Sequence, residues 1–298
     1  MKLHLLRIFT VVAQHMSFSR AAEALYISQP AVSQAVRELE HQLGLTLFER
    51  GAGRLNLTEA GALLAERGRA ILAIERTAEE DLRVLKGLQR GVLRVGSSTT
   101  IATYLLPPII ATYLRDHPNI DLHLTIQNTY TILNLLLDYQ VDMALVEGPV
   151  ADERIRCEPW QPDELVIIAA PDHPLVLQAA GQCVPADRLA DEPFLVREPG
   201  SGTREVGDTA LAAKGIRLKH TVELGSTEAV KEAVAAGLGL AIVSKATIAD
   251  QLALNKLTIL PCMDLEIRRT FTRVRLIGRT PSPAARAFDQ VLDQTRTA

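Results

Sequence analysis

Over the first sixty residues, apolar positions recur three and four apart, the period of helices with one buried face. In 3–14, LHLLRIFTVVAQ, the residues Leu6, Phe9 and Ala13 mark a core-forming helix. Ser19 precedes RAAEALYI and is expected to cap a second helix, with Ala21, Ala22 and Leu25 facing inward and Ile27 closing the turn. The small alanines let another helix approach closely. A third helix is predicted over 28–44, SQPAVSQAVRELEHQLG. Ser28 is its N-cap, Pro30 sits in the first turn where its missing N–H costs nothing, and Gly44 ends it. Its buried stripe is Val32, Val36, Leu39 and Leu43. The rhythm then shortens. Leu47 and Phe48 read as a strand, RGAGR as a tight turn and RLNLT as the return strand, giving a β-hairpin. Thr58, Glu59 and Gly61 open the next helix.

Residues 59–88 contain no proline, and Leu64, Ile71, Ala78 and Leu85 fall seven apart, with Ile74 and Leu82 between them. The remaining positions are largely charged. This predicts one helix of roughly 45 Å whose apolar seam cannot be buried on itself and therefore needs a partner helix. Gly87, Gly91 and the residues between them read as a hinge. From Val92 the chain alternates strand and helix patterns to its end, a βαβ series with a mostly parallel sheet. Its length, about 205 residues, suits two subdomains around a cleft.

The polar faces carry the chemistry. Opposite the buried stripe, the third helix presents Gln29, Pro30, Ser33, Gln34 and Arg37, with Ser28 at its start. Amides and hydroxyls near a helix N-terminus suit base edges, the dipole suits phosphates, and one arginine a turn further on suits guanine or phosphate. Arg50 and Arg54 flank the hairpin turn, placed for phosphates or the minor groove. Bulk charge adds little. Residues 1–90 hold 12 Lys+Arg against 10 Asp+Glu, a net of +2, within a chain of net −3.

The order of these pieces is more specific than any one of them. The run FSRAAEALYISQPAVSQAVRELEHQLGLTLFER followed by LTEAG resembles the signature of the LysR-type transcriptional regulators, over residues 2–61, and the rest of the chain is similar to that family's layout. The resemblance implies an α+β multidomain protein. It would have a winged helix-turn-helix over 1–58, a linker and dimerisation helix over 59–90, and an α/β two-lobed, periplasmic-binding-protein-like effector domain over 91–298. Lobe one would be 92–162 and 266–298 and lobe two 163–265, with crossovers near Gln161–Asp163 and Leu265–Arg268. It also implies an antiparallel dimer through the linker helix, which pairs two recognition helices on double-stranded DNA, and a homotetramer in the cytoplasm. RNA polymerase is a further candidate partner.

Four hydroxyl-rich loops lead into helices where a cleft is expected: Ser98-Thr99-Thr100, Asn128-Thr129, Ser201-Gly202-Thr203-Arg204 and Ser226-Thr227. Each helix needs a cap, so one loop alone says little. Together they predict a small oxyanion effector held by hydroxyl and amide donors, with Arg204 adding a guanidinium. Glu147 ends the apolar strand MALVEG at the same place. A carboxylate there would repel an anion, so either the effector carries a proton to donate to it or an arginine such as Arg204 pairs with it. The stretches EGP, EPWQPDELVIIAAP and REPGSGTREV most resemble the sulfur-assimilation branch of the family, which implies a sulfite-like effector. Regulators of carbon-fixation genes, sensing phosphorylated metabolites, share parts of the pattern.

An enzyme finds little support. The seven histidines show no metal spacing, there is no P-loop, and AAGLGLAI lacks the GxGxxG pattern. No cofactor or metal is expected. A solute-binding transport protein would suit the second half, but Lys2, Arg7, Arg20 and Glu23 interrupt the start as a signal peptide would not. No apolar run is long enough for a membrane span. Cys157, Cys183 and Cys262 stand apart and are expected to be buried structural residues in a reduced compartment.

Overall fold

The computed structural model describes residues 1–51, 54–85 and 91–295. The chain divides into two compact units, Met1–Lys86 and Gly87–Ala298. The expected hinge at Gly87, the tip of the hairpin and the side chains of Arg50 and Leu85 lie outside the described residues.

In the first unit α1 (Leu3–His15), α2 (Phe18–Leu25) and α3 (Gln29–Leu43) pack around Leu6, Phe9, Val12, Val32, Val36 and Leu39, all at most 2% exposed. The expected stripe is the face that is buried, with Leu43 half-buried at its end. The cap of α2 is Ser17, whose hydroxyl accepts from the Arg20 N–H, and Ser19 lies inside the helix. Phe18 decides this. Its ring meets that of Phe48 at 5.6 Å, and Phe48 meets Phe9 at 5.3 Å, so the helix begins one residue before the serine that the pattern favoured. Ser28 caps α3 through the Ala31 N–H, and Gly44 closes it in the left-handed region at φ 66°.

The strands β1 (Phe48–Gly51) and β2 (Arg54–Leu57) form an antiparallel hairpin with Phe48 opposite Leu57. Leu47 precedes the strand, and its N–H is taken by Glu40 Oε1 at 2.8 Å. Thr58 then caps α4 (Glu59–Leu85) through the Gly61 N–H, while its own hydroxyl donates to the Thr46 carbonyl at 2.7 Å. A Cβ on Gly61 would lie 2.0 Å from the Leu47 carbonyl oxygen, so only glycine fits there. Leu64, Ala65 and Gly68 of α4 face the helical core, and Arg7 clasps Glu75 at 2.7 Å. Leu64 therefore belongs to the core and not to the seam. Among the described residues, the apolar side chains that α4 leaves exposed are Ala62, Leu63, Ile71, Ile74, Ala78 and Leu82.

The second unit carries β3 (Gly91–Ser98), α5 (Thr99–Tyr104), α6 (Leu106–Asp116), β4 (Ile120–Gln127), α7 (Thr129–Leu137), β5 (Met143–Val146) and β6 (Ile155–Ala169). It continues with α8 (Pro174–Ala179), β7 (Val184–Pro185), β8 (Pro193–Val196), α9 (Gly202–Ala213), β9 (His220–Glu223), α10 (Thr227–Ala235) and β10 (Leu240–Ser244). It closes with α11 (Ala249–Ala253), β11 (Thr258–Ile259), β12 (Cys262–Met263), β13 (Ile267–Leu276) and α12 (Pro283–Gln294). One sheet runs β4-β3-β5-β13-β6-β10-β8-β9, with β11 beside β6. Its two ends are parallel, as expected, but β13 pairs antiparallel with β5 and β6, and β10 antiparallel with β6, so the sheet is mixed.

Two lobes follow from two sets of cores. One is built on Leu93, Tyr113, Trp160 and Phe288, the other on Phe194, Leu211, Val234 and Leu240. Among the described residues only β6 and β13 run through both. Within that strand pair Gln161 and Asp163 stand opposite Phe271 and Arg269. Pro159 and Pro162 lie within β6 and hid its first half from the sequence pattern. The cysteines depart from expectation: Cys157 and Cys183 are exposed and Cys262 is half-exposed.

Candidate DNA-reading face and effector cleft

On α3 the residues Gln29, Pro30, Gln34 and Arg37 are exposed and Ser33 is half-buried, where the Gln29 amide donates to its hydroxyl at 2.9 Å. Ser28 is exposed at the cap. The buried stripe holds the helix against the core, so this face is the one available to a groove. Arg54 is exposed on β2, opposite Gly51. Tyr26, in the left-handed turn before α3, is 96% exposed and was not anticipated.

In the second unit the strand ends converge between the lobes. Glu147, 2% exposed, accepts on Oε1 from the Thr100 hydroxyl and from the Thr203 hydroxyl, each at 3.2 Å. Thr100 belongs to lobe one and Thr203 to lobe two, so the carboxylate bridges them. Its second oxygen lies 2.9 Å from Arg269 Nη2, an ion pair without hydrogen-bond alignment. Arg269 also donates from Nε to Asp163 at 2.7 Å and from Nη1 to Thr203 at 3.0 Å, and Ser244 donates to Asp163 at 2.6 Å. An arginine does answer Glu147, but it is Arg269 and not Arg204.

Arg204 instead donates to the Arg197 carbonyl at 2.7 Å and to Glu223 at 2.8 Å, with Asp208 at 3.5 Å. Its guanidinium is committed to its own lobe. The guanidinium that meets a predicted loop is that of Arg197, 6% exposed, which donates to the Thr227 hydroxyl at 2.6 Å. Arg197 also grips both oxygens of Glu198, at 2.8 and 2.9 Å. Burial alone would raise the Glu198 carboxyl, but this grip holds it below the ordinary carboxylate range. Glu198 in turn accepts from the Asn128 amide across the cleft at 3.2 Å. Thr129 spends its hydroxyl on the Glu147 carbonyl at 2.6 Å.

Among the described residues two buried hydroxyls have no partner. Ser98, 1% exposed, stands at the N-cap of α5, and Ser201, 2% exposed, at the N-cap of α9. The lobes meet tightly where Glu147 and Gly148 face Gly200–Gly202: Cβ atoms on Gly202, Gly148 and Gly200 would lie 1.7 Å from the Glu147 carbonyl oxygen, 2.8 Å from Gly202 Cα and 2.8 Å from Tyr130 Cβ. Across the same cleft Lys231, 1% exposed, donates to the Tyr104 hydroxyl at 2.6 Å and to the Thr247 carbonyl at 2.7 Å. A cavity of about 590 Å³ opens elsewhere, on lobe two, lined in part by Glu164, Lys214, Leu260, Cys262 and Glu266, and contains none of the residues singled out from sequence as effector contacts.

The bacterial regulatory helix-turn-helix family of lysR type matches residues 3–62, and the LysR substrate binding domain matches residues 86–296. The chain belongs to the LysR family of transcriptional regulators. As a LysR-type regulator it joins a DNA-binding helix-turn-helix to an effector-binding domain. It is 40% identical to the RuBisCO operon transcriptional regulator of Allochromatium vinosum, over 95% of this chain and 92% of that one. Among solved structures, the regulatory domain of Synechocystis CcmR in complex with 2-PG is 30% identical, covers 70% of this chain and 98% of that one, and superposes with a TM-score of 0.65. A full-length OxyR variant from Pseudomonas aeruginosa is 26% identical, with coverage of 99% and 95% and a TM-score of 0.70. These relatives give the sulfur-assimilation leaning no support. Among the described residues no helix is long and apolar enough to cross a membrane, and no cluster of metal ligands occurs.

Proposed function

We propose that this LysR-type chain regulates transcription without catalysis, in response to a small phosphorylated acid such as 2-phosphoglycolate bound between the lobes. The carrying observation is the pair of buried, unpartnered hydroxyls, Ser98 and Ser201, at helix starts in opposite lobes. Such groups are costly to leave unmade and favour an acceptor-rich ligand. Ser98, Thr100, Ser201 and Thr203 are its donors, with backbone N–H groups at Thr99 and Gly202. Thr129 and Thr227 order the walls. Relatives named for the RuBisCO operon, and a structure with 2-PG, favour carbon-fixation effectors over sulfite.

On the DNA side α3 enters the major groove with Ser28, Gln29, Pro30, Ser33, Gln34 and Arg37, while Arg54 reaches the backbone. Two chains pair through α4, whose exposed Ile71, Ile74, Ala78 and Leu82 form one stripe, and two such pairs form the tetramer on DNA. The test is a thermal-shift titration with 2-phosphoglycolate and sulfite, followed by DNase footprints with each. A concentration-dependent rise with 2-phosphoglycolate, together with a changed footprint, is expected. No shift with 2-phosphoglycolate, or a response to sulfite alone, overturns the effector assignment.

A further inference from the structure

Glu147 sits where an anion would be expected. Its carboxylate takes hydroxyl donors from the starts of helices in both lobes and the guanidinium of Arg269, at 3.2, 3.2 and 2.9 Å. Arg269 has no need of it. Asp163 already accepts from its Nε at 2.7 Å, in an aligned hydrogen bond, whereas the contact with Glu147 is unaligned. The three side chains, at most 9% exposed, therefore enclose two carboxylates and one cation. An excess buried carboxylate is expensive unless something compensates for it. Here the compensation comes from the groups at the mouths of α5 and α9, and the two hydroxyls beside them, Ser98 and Ser201, remain unused. The cradle thus offers more donors than the glutamate consumes.

We infer that the Glu147 side chain is a built-in substitute for the effector, seated in the anion cradle and displaced by the incoming ligand. This rests on reading the cleft as an anion site. Displacement hands Thr100, Thr203 and one face of Arg269 to the ligand, and adds Ser98 and Ser201. It also supplies the cation that a phosphorylated acid needs, since the guanidinium of Arg204 is committed to Glu223 and Asp208 and that of Arg197 to Glu198. Because Glu147 bridges the lobes through Thr100 and Thr203, its release couples ligand entry to lobe geometry.

The experiment is calorimetric titration of the full chain with 2-phosphoglycolate and, separately, inorganic phosphate. Glu147→Gln keeps the acceptor for both threonines and removes the competing charge, so it should bind tighter than wild type by roughly tenfold to a hundredfold. Glu147→Asp keeps the charge but draws it back from the threonines and should gain less. Equal or weaker binding by Glu147→Gln, with wild type still binding, overturns the inference and makes Glu147 a direct ligand contact, while leaving the effector reading intact. If Glu147→Gln does not fold, the aspartate variant decides, and no gain there overturns the inference. Absence of binding by wild type and both variants overturns this inference and the effector assignment together.

Discussion

Replacing Gly202 by alanine should prop the lobes apart. The new Cβ would start 1.7 Å from the Glu147 carbonyl oxygen, 2.4 Å from its carbonyl carbon and 3.0 Å from its Cγ. Two of these neighbours are backbone, fixed at the end of β5, and cannot swing aside. A comfortable carbon–oxygen contact needs roughly 1.5 Å more. The Thr203–Glu147 hydrogen bond, one residue further along and already 3.2 Å, cannot survive such a separation. Overpacking of this kind costs about 1–3 kcal/mol, which lowers the melting temperature of a domain this size by roughly 2–12 °C. Differential scanning fluorimetry with and without 2-phosphoglycolate reads both the loss and the missing ligand response. DNA affinity without effector should hold, since α3 lies in the other unit. Gly207→Ala is the control within the same helix: the nearest atoms to its Cβ would be Ile242 side-chain carbons, at 3.3 Å and beyond. A Gly202→Ala protein with wild-type melting and wild-type ligand affinity would refute the closed geometry around Glu147.

Three further outcomes follow from the same geometry. Arg269→Met leaves Glu147 and Asp163, both 3% exposed in their side chains, without a guanidinium and should cost about 3–5 kcal/mol in urea denaturation; a loss below about 1 kcal/mol would contradict the triad. Arg37→Ala should weaken DNA binding in anisotropy titrations, lowering the salt slope by about 1 if Arg37 meets phosphate or relaxing base preference if it meets guanine, and unchanged binding would remove it from the interface. The Glu198 carboxyl is held low in the folded chain, so its stabilising contribution is present at neutral pH and is lost as pH falls through that lowered value. The melting difference between wild type and Glu198→Gln should therefore shrink on acidification, and a constant difference would sink the Arg197–Glu198 account.

The helix-turn-helix was legible because its signals are local. A stripe such as Val32–Val36–Leu39 and a cap such as Ser28 act within one or two turns of chain. Ser17 and Ser19 show the limit, since both are good caps and the choice is made by Phe18 reaching Phe48, thirty residues away. In the second unit the hydroxyl loops were legible as helix starts, and Glu147 as a charge out of place. Its partner was not. Arg268, Arg269 and Arg273 look alike in sequence, and only the pairing of β13 with β6 turns Arg269 toward Asp163. Arg197 was hidden for the same reason, and Arg204 was overvalued because Glu223, nineteen residues on, claims it.

The pairing of β6 with β13 also sets the mechanics of the cleft. The two strands hydrogen-bond from Ile155–Leu276 to Leu165–Ile267, through both lobes, with one irregularity at Phe271/Thr272. The lobes are therefore not two plates on a loose tether. Opening must twist a ribbon of paired strands, most easily at that irregularity, and the ribbon resists in proportion to the twist. A paired ribbon of this kind favours one resting angle between the lobes. A few polar contacts at the cleft mouth can then bias that angle in a graded and reversible way, without breaking the sheet.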